Sequence, residues 1–387
     1  MDMTDMDLGP DDVALRDMVR QVVAREVAPQ ARLIDEEERF PREALRTFGR
    51  QGLLGILVPE QYGGAGTSML QYVIAMEEIA KACGATSATF MTQVHGMLPV
   101  LLAGSEEQKQ QWLPPAVAGE RVTAIAITEP NAGSDVASMQ TVAVRDGDDY
   151  VINGSKIFIT NGGVADWVCV FAKTDPASRH EGISLFLVER SAPGFSCGKP
   201  LRKMGIRGSN TAELFFSDVR VPVANRLGAE GIGFGIAMGA LGDARISTAA
   251  QALGLAQGAY DIAFEYAQTR KQFGKPIYSY QAVQLTLMDM YMSIVSARLM
   301  TYQLARMIDR KARSEFSLES AMAKVYCSDM AMKVTTDAVQ LLGGYGYIRD
   351  YDAERFMRDA KITQIYDGTN QINRLVMARR MLKRMRA

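Results

Sequence analysis

The sequence predicts an α+β multidomain protein: an N-terminal α-helical domain over residues 1–122, a middle β domain over 123–228, and a C-terminal helical domain over 229–387. Three observations carry this. Apolar residues recur at helical spacing on both flanks, whereas from Arg121 to about residue 227 they alternate in short runs broken by Gly and Pro. The chain, at 387 residues, is also too long for one ordinary core.

Residues 11 to 120 read as helical. Asp11 and Asp12 sit where an N-terminal turn favours acids, and Val13, Met18, Val22 and Val23 form an apolar stripe. Phe40-Pro41 opens a second helix, with Pro at a tolerated first-turn position. The run Leu53 to Val58 ends at Pro59 and the loop Tyr62 to Gly66, which no strand-then-helix pattern surrounds and which therefore reads as a turn. Helices follow from about Ser68 to Cys83 and over Phe90 to Leu102.

In the middle segment, Val122, Ala124, Ala126 and Thr128 lead into Glu129 to Asp135, too rich in Pro and Gly for a helix. Tyr150 to Ile152 and Ser155 to Thr160 flank Asn153-Gly154, the strongest short hairpin signal. Further strands are expected at Trp167 to Lys173, Ile183 to Val188, Ala212 to Phe216 and Val219 to Val221. Helical spacing returns at Gly231. The triplet Gly231, Gly233, Gly235 lacks the spacing and the preceding strand of a dinucleotide fingerprint. Helices at about 242–269, 279–311 and 316–342 are long enough for a four-helix bundle, with their Met residues as core filler.

Composition removes several function classes. A net charge of -1 gives no reason to expect nucleic-acid or membrane binding. No apolar run is long enough to insert in a membrane, and the acidic start MDMTDMD resembles neither a signal nor a transit peptide, so a cytoplasmic location is expected. Cys83, Cys169, Cys197 and Cys327 lack CxxC spacing and only His95 and His180 are present. No metal site is expected from them, nor a Ser-His-Asp triad.

The richest stretch is ITQIYDGTNQINRLVMAR, residues 362–379. Asp367 stands before a Gly turn that opens a new helix. It can cap that helix, or it can be a carboxylate held facing a cavity. Earlier words accompany it in order: ITEPNAGSD (127–135), NGSKIFITNG (153–162), MGIRGSNTAELFFSDVRVP (204–222), RKQFGKPI (270–277) and QLLGGYGY (340–347). Together with IYDGTNQINRLVMAR (365–379) they resemble the acyl-CoA dehydrogenase family of flavoproteins over essentially the whole chain.

The resemblance implies a β-barrel-like middle domain, a C-terminal four-helix bundle, FAD as cofactor, a homotetramer, an acyl-CoA substrate and electron-transfer flavoprotein as acceptor. Ile127, Thr128, Gly133 and Ser134 would meet the isoalloxazine edge, with Ser134 also bordering the thioester. Phe158, where the family commonly has Trp, would cover the flavin while Thr160 approaches N5; residues two apart share a strand face. Arg270, Gln272, Phe273 and Gln281, with Gln340, Leu341, Gly343 and Gly344, would reach the FAD of a neighbouring subunit. Arg270 suits a pyrophosphate because its planar fork binds phosphate oxygens bidentately. Thr369 and Gln371 would contact the cofactor, and Gly368, Asp243, Arg245 and Arg379 the substrate side.

Within that frame Asp367 is the base that removes the thioester α-proton while a β-hydride leaves to the flavin. A carboxylate in a water-poor cavity is the stronger base. The family commonly has Glu there, one methylene longer, and the shorter acid suggests room for a short, branched or cyclic acyl group. In some members the base lies on the helix that carries Gly242 to Arg245; Ala244 is at that position here, with Asp243 beside it. Two alternatives share the fold: a flavin oxidase of the nitroalkane-oxidase type, which also uses Asp, and an enoyl-CoA reductase. Arg207 to Thr211 keep the pattern of CoA-ester enzymes.

Overall fold

A computed structural model describes residues 8–310 and 316–386. The acidic start, the first residues assigned to the N-terminal domain and position 311 of the expected 279–311 helix therefore lie outside the described residues. Six helices come first: α1 (Pro10–Val22), α2 (Ala31–Glu36), α3 (Arg42–Arg50), α4 (Met69–Ala82), α5 (Gly84–Ala103) and α6 (Glu106–Val117). A wider turn over Val23–Val27 and a tighter one over Ala28–Gln30 join α1 to α2. Pro41 precedes α3 as its cap rather than its first residue. Local signals place α6, where Ser105 and Gln108 form a reciprocal capping box.

The middle segment is a seven-stranded curled sheet of β1 (Thr123–Ala126), β2 (Val142–Asp146), β3 (Asp149–Thr160), β4 (Trp167–Lys173), β5 (Ile183–Glu189), β6 (Phe195–Cys197) and β7 (Thr211–Pro222). β4 pairs parallel with β1 and antiparallel with β5; β3 pairs antiparallel with β2 and β7.

The hairpin expected at Asn153-Gly154 is not there. β3 runs straight through it, and the turn is at Gly147, φ 62°, between β2 and β3. Asn153-Gly154 is instead a bulge in the β3–β7 register. Gly154 has φ 146°, and a Cβ there would lie 2.5 Å from Thr141 Oγ1. Asn153 exchanges side-chain hydrogen bonds with Asp218 across the pair, so the polar dipeptide is used within the ladder and not to reverse it. For the same reason 212–216 and 219–221 are one strand, β7, kinked at Asp218, φ 52°.

After the sheet come α7 (Gly233–Thr269), the short strands β8 (Lys271–Gln272) and β9 (Lys275–Pro276), then α8 (Gln281–Arg310), α9 (Ser317–Leu342), α10 (Gly344–Tyr347), α11 (Ala353–Ala360) and α12 (Asn370–Arg386). α7 starts nine residues earlier than the expected 242: four glycines weaken the local signal, yet Ala237 and Ala240 are buried and anchor the first turns. α7, α8 and α9 form the bundle, with α11 and α12 packed on α9.

The two helical flanks share a core. Phe48, Tyr72, Phe90 and Val94 from the first flank join Ile246, Leu253, Met290 and Cys327 from the second. Burying such side chains contributes about 1.5–3 kcal/mol each, so this shared core holds α7 against α4 and α5. A second core lies under the sheet, where Trp112 and Trp167 meet edge to face at 5.6 Å.

Candidate active site

Asp367 occupies the turn between Lys361–Gln364 and α12, with left-handed backbone, φ 55°. Such a conformation costs on the order of 1–3 kcal/mol outside glycine, and Asp is among the residues that tolerate it best. The helix cap is supplied by Thr369, whose hydroxyl accepts from Ile372 N at 3.3 Å. The Asp367 carboxylate turns the other way, accepting from Thr248 Oγ1 of α7 at 2.7 Å. The geometry therefore separates the two roles that the sequence left open at this turn.

The surroundings are built from three helices. Arg245, one turn before Thr248, and Lys324 of α9 are both buried, and their positive charges act on the carboxylate. Lys324 Nζ donates to Gly368 O at 2.9 Å and to Asn370 Oδ1 at 2.8 Å. Asn373 Nδ2 also donates to Gly368 O, and the Tyr366 hydroxyl donates to Gln251.

Burial raises the Asp367 pKa above the ordinary carboxylate value; the Thr248 hydrogen bond, Lys324 and Arg245 pull it back only in part. Burial likewise pushes Lys324 down to about 8, against the attraction of Asp367 and Asp329. Asp243 is buried, and its charge, like that of Asp367, acts on the buried Tyr72. The Ser247 hydroxyl, next to Thr248, donates to the Asp243 carbonyl and meets His95 Nε2 at 3.0 Å.

The loop Ile127 to Ser134 is clamped from beneath. Lys156, fully buried on β3, donates to Glu129 Oε1 at 2.8 Å and to Ile127 O at 3.1 Å. Glu129 also accepts from the backbone of Gln140 and Thr141. Ile157 N donates to Thr128 O. Gly133 and Ser134 are exposed, and a Cβ at Gly133 would meet open space. A bulge between Lys156 and Ile159 puts Phe158 at φ 60° and interrupts plain alternation. Ile159 nevertheless points inward, leaving Phe158 64% exposed and Thr160 half-buried.

A third group gathers elsewhere. Arg270, Gln272, Leu341, Gly343 and Gly344 line a cavity of about 510 Å³ with Tyr266, Ile277, Leu342, Tyr345 and Ile348. Neither Asp367 nor the 127–134 loop contributes to this lining. Gly343 has φ 60° and ψ −133°, and open space lies where Cβ atoms of Gly343 and Gly344 would stand. The Arg270 guanidinium lies 5.4 Å from the Tyr345 ring centroid. Phe273 is 95% exposed; Gln281, Gln340, Gln371 and Arg379 are exposed too. An exposed aromatic wall at Phe158, an open polar loop beside it and a glycine-floored cavity with one guanidinium fit a flavin dinucleotide.

Thr248 and Lys324 escaped the sequence reading. The signal for Lys324 was a lone cation among Ala321, Ala323, Val325 and Cys327 on a buried helix. Thr248 gave none, being one small polar residue in an alanine-rich run.

Family models for the acyl-CoA dehydrogenase N-terminal, middle and C-terminal domains match residues 9–120, 124–219 and 231–382. The chain belongs to the acyl-CoA dehydrogenase family, FAD flavoproteins that are oxidoreductases acting on CH–CH bonds. It is 47% identical to a short-chain-specific acyl-CoA dehydrogenase of Clostridium acetobutylicum, over 98% of this chain and 100% of that one. It is 48% identical to a cyclohex-1-ene-1-carbonyl-CoA dehydrogenase of Geobacter metallireducens, over 95% and 96%. The solved butyryl-CoA dehydrogenase of Megasphaera elsdenii superposes with a TM-score of 0.94 at 42% identity, covering 98% of this chain and all of that one. Among the described residues no helix is long and apolar enough to cross a membrane.

Proposed function

We propose that the protein desaturates an acyl-CoA thioester between Cα and Cβ, with Asp367 removing the α-proton. The observation that carries this is the carboxylate itself: drawn away from its own helix end, held by Thr248 and flanked by Arg245 and Lys324. A half-buried acid of raised pKa is a better base than one in water, and the two cations keep enough of it ionised to act. The Asp367–Gly368 backbone lies just before the start of α12, where N–H groups can donate to a developing enolate oxygen. When bound, FAD supplies the hydride acceptor.

The Ile127–Ser134 loop, Phe158 and Thr160 would hold the flavin ring, with Thr369 and Gln371 beside it. Arg270, Gln272, Phe273, Gln281, Gln340, Leu341, Gly343 and Gly344 would hold the dinucleotide of a neighbouring subunit. That division is supported by the separation of the 510 Å³ cavity from the Asp367 site, and it requires a homo-oligomer, a tetramer by family precedent. Ser134, Asp243, Arg245, Gly368 and Arg379 would face the thioester substrate. The three domains would be residues 1–122, 123–228 and 229–387 of a cytoplasmic protein that passes its electrons to electron-transfer flavoprotein.

Asp in place of Glu supports a short, branched or cyclic acyl group, as does the similarity to a cyclohexene-carbonyl-CoA dehydrogenase. The same Asp is the one feature that favours a second reading, oxidation of a nitroalkane-type carbon acid. Anaerobic mixing with butyryl-, isovaleryl- and cyclohexanecarbonyl-CoA, and separately with nitroethane, decides between them. Flavin bleaching by a thioester is the expected result; bleaching by nitroethane alone overturns it.

A further inference from the structure

Lys324 is fully buried on α9. An ammonium in such a place carries a desolvation cost of several kcal/mol and persists only where its partners repay it. Two of its three N–H donors go to the turn that follows Asp367, at Gly368 O and Asn370 Oδ1. Asn370 is gripped again one helical turn along, by Ser328 Oγ and Asp329 Oδ1. The face Lys324–Ser328–Asp329 of α9 thus holds the Asp-Gly-Thr-Asn turn from below, where the backbone of Asp367 is left-handed and needs support. A neutral donor could satisfy Gly368 O. What only a cation adds is attraction for the carboxylate next to it.

We propose that Lys324 is a positioning residue for the reaction: from α9 it fixes the 367–370 turn, and with it the aim of the Asp367 carboxylate, and it supplies a positive charge to that buried acid. The proposal rests on Asp367 being the base. Other groups act on this pair from the packed elements: Arg245 and Thr248 of α7, Tyr72 of α4, Tyr366 of the turn, Asp329 of α9 and Arg374 of α12, with Asp243 acting on Tyr72 and Arg380 on Arg245 in turn. Arg245 is the other cation acting directly on the carboxylate. It is held by helix packing, with its Nε buried and unpaired, so it carries charge without gripping the turn.

The test uses the FAD-loaded enzyme with Lys324→Met, which keeps length, and Lys324→Gln, which keeps a donor but not the charge. Two readouts are taken against pH: the rate of flavin reduction by the most reactive thioester above, and the infrared band of the protonated 367 carboxyl, identified by its loss in Asp367→Asn. In both variants the acid limb and the infrared titration should move up together by about one pH unit or more, the size expected for losing one nearby opposite charge. A lysine with a packing role alone would lower Tm in both variants and leave the two titrations where they were, which overturns the proposal. Where Lys324→Met does not fold, Lys324→Gln alone gives the reading. Persistent turnover in Asp367→Asn would instead show that the base is elsewhere, a different failure, because the infrared shift does not depend on turnover.

Discussion

The hydroxyl of Thr248 donates to Asp367 Oδ2 at 2.7 Å, tying the first long helix of the bundle to the turn before the last one. Those residues are 119 apart in sequence, so the direction of the carboxylate depends on the core shared by α4, α7 and α9. Thr248→Val keeps the shape and removes the donor. A hydrogen bond to a charged group contributes about 1.5–3 kcal/mol, so flavin reduction should slow by roughly 10- to 100-fold. The bond favours the ionised form, hence its loss should also shift the acid limb upward. Stopped-flow reduction across pH reads both effects.

Asp367→Asn should abolish thioester-driven reduction while the protein stays yellow, and it should also stabilise the fold at neutral pH. The sign follows from the raised pKa. An acid whose folded pKa exceeds its unfolded value binds more protons when folded, so its contribution is intact below the unfolded pKa near 3.8 and is lost as pH rises through the folded one. Asn resembles the protonated acid and also tolerates the left-handed backbone. Thermal melts of the two proteins should therefore differ most near neutrality, with Asn the more stable, and converge on acidification. An Asn protein less stable than the parent at pH 7 contradicts this account of the site.

The helices and the site words were legible because they are local: capping residues, 3.6-residue spacing and the short sequence around Asp367. The failures came where tertiary pairing overrode a local signal. Asn153-Gly154 has the chemistry of a two-residue turn, but Asp218 on the facing strand takes up Asn153 and converts it to a bulge. The first turns of α7 carry four glycines, so the long helix is expected only from about 242 although helical spacing returns at Gly231; the burial of Ala237 and Ala240, which starts it at Gly233, is decided by what packs on them. Lys324 and Thr248 were missed because a residue that acts through another has no motif of its own.

The glycine-floored cavity gives a prediction that separates cofactor retention from folding. Gly344 meets nothing within 4 Å of a Cβ, so Gly344→Val should leave the helical fold intact. It would narrow the space next to Arg270 and Leu341 into which a dinucleotide would enter. FAD content after gel filtration should fall by about tenfold or more, the effect of a lost close approach worth roughly 1.4 kcal/mol. Normal circular dichroism with full FAD retention would remove this cavity from the cofactor site.

The clamp beneath the Ile127–Ser134 loop supplies the last prediction. Lys156 is fully buried and pushed down to about 8 by that burial, against the pull of Glu129; Glu129 in turn is held below its usual value by Lys156 and its hydrogen bonds despite its own burial. Removing one partner of a buried pair typically costs about 3–5 kcal/mol, because the other charge is left behind. Lys156→Met should therefore lower Tm by roughly 5 °C. It should also release FAD before global unfolding, since Ile127 O and the Glu129 end of the loop lose their anchor. The double variant with Glu129→Leu tests whether charge alone is responsible. Glu129 also accepts from the Gln140 and Thr141 N–H groups, so replacing both residues by apolar ones leaves those donors unpaired. Recovery should be partial in Tm and absent in FAD retention; full recovery of both would reduce the pair to a neutral packing feature.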